Sequence, residues 1–449
     1  MFRMKSLLGI FIFLLPLHAF LVTVLKCRFD VNTDILRFWK EWILTFLVLY
    51  LFTKVLRKND FSLRKIYSKN TLLWLSTAFI ICSAIYIIFP FFQLKLASVL
   101  WFRYDTYFLI AMIVWLYCGL QNDLRYFVKT LFLSTFGILI IFLPWYLTGN
   151  IADKAALFWY SSEVSTYVAN TCISFAQNVE WHHRFQGTFW WPIRFSVFLT
   201  VVYSLFAWWL FSSSRFVGNT RYYMLGWFAA LVLPSIFFSY SKTSMLGFVF
   251  AVALFVLLSY KYIYKRKITK TFYFSLAGII TVPIALIALL KWELFLHLWS
   301  VLNRVDNLTK SVEMFFYNPF WYGLWIAGPA SQMGHSIESA GNWQIATSSV
   351  FSVHKFLPEN WYVQILLEQG LIGFFLFISL IILIGLRLIE SVKRSRDFMQ
   401  VGITTAYFAL CFMALFTHAF EEAATSYILF FLIGLVLTDS MQREKNAKK

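Results

Sequence analysis

Apolar runs long enough to cross a bilayer recur along nearly the whole chain, separated by short charged stretches. A hydrocarbon core of about 30 Å takes roughly 20 helical residues to span. These runs are continuous and do not alternate in polarity, so they read as helices, which satisfy their own backbone in lipid, and not as barrel strands. With 60% of residues hydrophobic and 13% charged, no water-soluble core could hide so much apolar surface. The expected fold class is therefore all-α, a single polytopic membrane domain over residues 1–449 with about 12 transmembrane helices.

The periodicity predicts helices over 7–25, 41–56, 71–92, 97–119, 127–148, 190–212, 222–240, 244–263, 272–291, 362–387, 400–419 and 426–440. The first run, Leu7 to Leu25, is long enough to span and lacks a small-residue cleavage site, so it is expected to stay as a membrane helix. Two connections exceed what a compact bundle needs for turns, an outer loop at 149–189 and a larger one at 292–361 that is expected to hold short helices.

Basic residues set the orientation, because cytoplasmic loops accumulate them. Lys54, Arg57, Lys58, Arg64, Lys65 and Lys69 fall in the second loop, Lys261 to Lys270 in the eighth, and Arg387 to Arg396 in the tenth. Both termini are also basic. Termini and even loops are therefore expected in the cytoplasm, and both long loops outside. A net charge of +18 distributed this way argues against nucleic acid and for membrane lipids as partners. Five scattered cysteines lack the spacing of a zinc site or a disulfide framework and read as packing residues; no metal or cofactor is expected. The tryptophans Trp190, Trp191, Trp208 and Trp209 are expected in interfacial belts.

Three cations lie where the chain should return to the outer membrane surface: Arg184 in HHRFQGTFWWP, Lys242 in SYSKTSMLG and Arg304 in LNRVDN. Charge at that depth is costly without a partner, and a shared anionic headgroup would supply one. A pyrophosphate suits Arg, whose planar fork makes paired contacts, while Lys serves as a point charge. Single cations at helix ends more often snorkel to ordinary lipid phosphates, and Arg194, Lys26, Lys95 and Lys291 are read that way.

Four segments in order resemble the O-antigen ligase and polymerase superfamily, membrane glycosyltransferases related to the Wzy and WaaL proteins. They are RFQGTFWWPIRFSVFL (184–199), FSYSKTSMLGF, RVDNLTKSVEMFFYNPFWYGLWIAGP and PENWYVQILLEQGLIGFFLF (358–377). The resemblance implies a bacterial cytoplasmic-membrane enzyme. Its donor would be a polyprenyl-pyrophosphate-linked glycan of the undecaprenyl type, and its acceptor a second glycan or a lipid, with no metal. Arg184 and Arg304 would hold the pyrophosphate and stabilise the leaving group, and Lys242, where the family usually has Arg, would bind without the fork.

Where ligases of the family commonly carry His-Asn, this chain has Glu359-Asn360. A desolvated Glu takes the same proton. Glu359 is therefore the first candidate base, with His335 and His354 as substitutes, and Asn360 would orient Glu359 or bond a sugar hydroxyl. Gly370 and Gly373 read as packing glycines, Glu368 as structural, and Glu421 and Glu422 as a solvated joint. The rival reading is a transporter or a flippase of lipid-linked oligosaccharide, which would place its ionisable groups near the bilayer midplane. Of the spans only the one holding Arg103 and Asp105 leans that way.

Overall fold

The computed structural model describes residues 2–29, 38–57, 71–88, 95–118, 124–147, 178–179, 182–183, 185, 188–189, 192–212, 220–267, 269–272, 298–317, 359–447 and a few positions between 274 and 285. In chain order the helices are α1 (Phe2–Leu14), α2 (His18–Phe29), α3 (Trp39–Arg57), α4 (Thr71–Ile88), α5 (Lys95–Cys118), α6 (Leu124–Leu147), α7 (Pro192–Ser212), α8 (Thr220–Phe238), α9 (Lys242–Leu258), α10 (Leu298–Tyr317), α11 (Trp361–Ser395), α12 (Phe398–Met413) and α13 (Ala423–Ala447). A 3₁₀ turn with Pro16 joins α1 to α2, and a π turn, Ser259–Ile263, extends α9. Of the predicted helix over 272–291 only scattered positions are described, and these are helical; most of the 149–189 and 292–361 loops lie outside the described residues.

Almost everything described is helical, as expected. The exception is a two-residue hairpin ladder, β1 (Asn178–Val179) against β2 (His182–His183), inside the 149–189 loop. Among the described residues, five helices could cross a membrane by length and composition: Lys5–Val22, Leu124–Pro144, Pro192–Ser212, Lys242–Ile263 and Trp361–Ser395. Thr71–Ile87, Tyr222–Phe238, Phe398–Met413 and Ala423–Thr438 are apolar but shorter. The expected dozen spans is more than these lengths establish. Large apolar side chains such as Trp42, Phe46, Trp227, Ile372 and Phe375 stand exposed on helix faces, where lipid and not water is the fitting solvent.

The core runs through α5, α7, α11, α12 and α13, with α5 packed along α13 and α7 along α12. Small residues allow this. A Cβ on Gly402 would sit 2.3 Å from the Cβ of Trp208 and 3.0 Å from the carbonyl of Ser204, so α7 and α12 approach to a distance only glycine permits. Trp208 is thereby fully buried, a correction to its expected place in an interfacial belt: the gap opposite Gly402 takes the indole instead. Buried hydroxyls of Ser76, Ser83, Thr135, Thr200 and Ser204 bond the carbonyl one turn back, which keeps them satisfied inside the bundle.

Helix α11 is broken at Gly370, whose φ of 62° and ψ of −166° suit glycine alone. The packing role expected for Gly370 is thus replaced by a backbone one. Gly373 keeps a packing role, since a Cβ there would meet Gln369 Cβ at 2.3 Å. At the break the Gln369 carbonyl accepts from Tyr86 Oη at 2.7 Å, and its side chain spans from Ser83, which donates to Oε1 at 3.1 Å, to Asp105, which accepts from Nε2 at 2.9 Å. The break lets one residue bond α4 and α5 simultaneously.

Candidate functional site

The segment after Arg184 is pinned by its aromatic residues. Phe185 and Phe189 are buried against Phe195, with ring centroids 5.4 and 5.3 Å away, and the Thr188 hydroxyl donates to the Pro16 carbonyl at 2.7 Å. The Phe185 N–H donates to the Phe238 carbonyl at 2.8 Å. That bond joins the RFQGTF segment to the end of α8, four residues before Lys242. Arg184 itself lies outside the described residues, but the chain on its C-terminal side is tied to the turn that carries Lys242.

That turn is tight. Tyr240 takes φ 53°, a conformation few non-glycine residues adopt, and Ser241 caps α9 by accepting from the Ser244 N–H at 3.3 Å. Ser244 and Ser196 bond through their hydroxyls at 2.7 Å, locking α9 to the first turn of α7. Lys242, the first residue of α9, is half-buried beside this lock.

Arg304 lies on α10, which packs against α11. Glu359 is exposed, just ahead of α11, so the desolvation expected of it as a base is not provided by the described residues. Asn360 is the N-cap of α11: its Oδ1 accepts from the N–H groups of Tyr362 and Val363 at 3.0 and 3.2 Å. The carboxamide oxygen expected to serve Glu359 or a sugar is thus engaged by the cap, which leaves the Nδ2 amide as the group to meet a sugar. His335 and His354 lie outside the described residues.

Beside these residues is a buried polar cluster that sequence reasoning set aside. Arg194 does not snorkel to lipid. It donates to Glu421 Oε2 at 2.9 Å and stands 3.7 Å from Glu422, in the joint between α12 and α13. Nor is that joint solvated throughout, since Glu421 is 2% exposed. It is folded down onto α11: the Trp361 N–H donates to the Ala414 carbonyl at 2.9 Å and Tyr362 Oη to that of Cys411 at 2.9 Å. His418 Nδ1 lies 2.6 Å from Gln364 Oε1, and Gln364 Nε2 donates to the buried Glu368 at 3.3 Å. Because the Gln364 amide nitrogen faces Glu368, its oxygen faces the imidazole, and His418 must be the donor at Nδ1. Glu368 is fully buried, one turn further along α11.

A second ionic group flanks the first. Glu41 lies 3.3 Å from Lys40 and 3.6 Å from Arg103; Lys40 Nζ is 3.0 Å from His18 Nε2, whose Nδ1 accepts from Trp39 at 2.8 Å. Arg103 and Asp105 are therefore partnered with other helices and not with each other. The sequence signal for all of this was polar residues near span ends, notably HAFEE and WKEW, which look like ordinary loop edges until the joint folds inward. Among the described residues no group of three or more His, Cys, Asp or Glu side chains could hold a metal ion.

Burial, with help from the charge of Arg194, pushes the His418 imidazole down to about 3. Burial pushes Glu421 up to about 7, against the pull of Arg194. The two act oppositely on stability. An unfolded chain protonates His418 below about 6.5, so stability is lost as pH falls through that value. Glu421 keeps its proton in the fold but not in the unfolded chain between about 4.5 and 7, so stability is gained as pH falls through that window. Each slope is about 1.4 kcal/mol per pH unit, and between 6.5 and 4.5 they offset. His418→Asn, which keeps a donor to Gln364, removes one slope. The melting temperature of the variant relative to the parent is expected to rise steadily below pH 6.5 and to be flat above pH 7. A pH-independent difference in thermal unfolding would refute the buried neutral imidazole.

Residues 227–378 match the model of the O-antigen ligase family. The match bears out the resemblance to the O-antigen ligase and polymerase superfamily, and it runs from α8 to the first half of α11, taking in Lys242, Arg304, Glu359 and Asn360. It supports an O-antigen ligase-type membrane enzyme of the inner membrane acting on a lipid-linked glycan. A search of curated proteins found no match to the chain.

Proposed function

From the premise that residues 227–378 carry an O-antigen ligase domain, we propose that the protein transfers or polymerises glycan carried on a polyprenyl pyrophosphate, at the outer face of the bacterial cytoplasmic membrane. The observation that carries this reading is the backbone bond from Phe185 to Phe238, which draws the Arg184 segment onto the Lys242 turn. Two cation-bearing segments far apart in sequence are thereby neighbours.

In this mechanism Arg184, Lys242 and Arg304 grip the diphosphate and take up charge as it leaves. Glu359 accepts the proton of a sugar hydroxyl, the oxygen attacks the anomeric carbon, and the bond from that carbon to the phosphate oxygen breaks. The lipid pyrophosphate departs with the bonding pair. No metal is needed, because the developing charge is met by fixed guanidinium and ammonium groups. The distribution of basic residues supports termini in the cytoplasm and the long 149–189 and 292–361 loops on the side of the chemistry.

Surface polysaccharide from a deletion strain tests the activity and separates its two forms. Loss of long chains with single units retained identifies a polymerase, and accumulation of full chains on the lipid carrier identifies a ligase. Unchanged surface glycan would overturn the reading. So would purified protein in vesicles that moves lipid-linked glycan between leaflets without forming a glycosidic bond.

A further inference from the structure

The cation-bearing and base-bearing parts of this site are held by different elements. Arg184 precedes α7, whose first turn carries Arg194. Glu359 and Asn360 precede α11, whose first turn carries Gln364. Between them lies the joint of α12 and α13, with one partner on each side: Glu421 takes Arg194 at 2.9 Å, and His418, three residues earlier, takes Gln364 at 2.6 Å. Two backbone-directed bonds, Trp361 to Ala414 at the start of the joint and Tyr362 to Cys411 in the last turn of α12, seat this end of α12 on α11.

We propose, resting on the glycosyltransferase reading above, that this joint is a positioning bridge for transfer. Arg194, Glu421, His418 and Gln364 set the spacing between the diphosphate-binding segment and the Glu359–Asn360 turn. They touch neither donor nor acceptor.

Stability alone is a poor reason for such an arrangement. Removing two charges from water costs several kcal/mol per ion, and well-packed apolar residues in their place are often as stable or more so. What an ion pair and a tautomer-specific hydrogen bond add is a single permitted geometry. Glycosyl transfer is sensitive to that geometry, since a displacement of about 1 Å between reacting groups costs on the order of 10²-fold in rate. Three of the four bridge residues, Arg194, His418 and Glu421, lie outside residues 227–378, and only Gln364 lies within the matched stretch.

The test uses the full-length protein in lipid vesicles with a lipid-linked donor and its acceptor. The double variant Arg194→Met/Glu421→Leu replaces the pair with apolar side chains of similar volume and leaves Glu422, 3.7 Å from Arg194 in the parent, with its partial exposure to solvent. It is expected to melt within a few degrees of the parent, to lose about 10- to 100-fold in kcat, and to keep its donor KM within about threefold. Glu421→Gln retains an oxygen for the guanidinium and is expected to recover most of the rate. Spin labels at His183 and Glu359 supply a readout independent of activity: one narrow distance in the parent, a broadened or shifted one in the double variant.

A donor KM that rises with kcat unchanged would overturn the proposal by making Arg194 a substrate contact. Full activity with a lowered melting temperature would overturn it by making the pair a fold element only. If the unsubstituted protein forms no glycosidic bond, the glycosyltransferase reading falls, and the spin-label distances alone then decide whether the joint spaces the two segments. An unchanged distance in the double variant refutes the bridge.

Discussion

Replacing Glu359 by Gln is expected to slow glycosyl transfer by ~10²–10⁴-fold with donor affinity nearly unchanged, the range typical of a lost general base. Gln is nearly the same size, so it keeps the turn ahead of α11, and it cannot accept the hydroxyl proton. Glu359 is exposed at the helix entry, one residue before a cap that fixes the backbone direction. It is therefore within reach of an acceptor arriving from outside the bundle. His335→Asn and His354→Asn are expected to transfer at close to the parental rate. Should either of them abolish transfer while Glu359→Gln transfers normally, the proton acceptor is that histidine. Rates at saturating donor, measured on purified protein, distinguish the cases.

Arg184→Ala and Arg304→Ala are expected to act differently, by weakening the donor complex. Each hydrogen-bonded contact to a charged group contributes about 1.5–3 kcal/mol, or roughly 10- to 100-fold in affinity. Arg→Lys at either position should recover part of this, because the charge remains while the planar fork is lost. Lys242→Arg runs the other way and is expected to hold the donor as tightly or more so. Binding of a lipid-linked donor to each variant in detergent checks all three statements. Equal donor affinity in parent, Arg184→Ala and Arg304→Ala would remove the diphosphate site.

The helical fold was largely legible because its signal is redundant. A membrane span announces itself with about 20 apolar residues, and no single substitution hides it. The family likeness was legible for a related reason: the short patterns holding Lys242, Arg304 and Glu359 follow one another in order within residues 227–378, the stretch that matches the O-antigen ligase model. What stayed hidden was the folding of the α12–α13 joint. Glu421 and Glu422 are adjacent carboxylates between two apolar runs, so local pattern favours a wet turn. Only the tertiary structure, by bringing Arg194 to the joint, turns Glu421 into a buried partner. Arg194 itself was indistinguishable in sequence from any cation at a helix end. Trp208 was misplaced for a similar reason: its burial depends on Gly402, nearly two hundred residues away, and no periodicity within α7 records that. The break at Gly370 was likewise unreadable, since a glycine in an apolar helix marks a close approach as often as a bend.

The central claim is the convergence of cations from separated segments on one diphosphate. A structure of the full-length protein with its lipid-linked donor bound measures it directly. The account predicts the diphosphate in hydrogen-bonding reach of Arg184, Lys242 and Arg304 together, on the membrane face that holds Glu359. A diphosphate bound elsewhere, or these three side chains on opposite faces of the membrane, would contradict it.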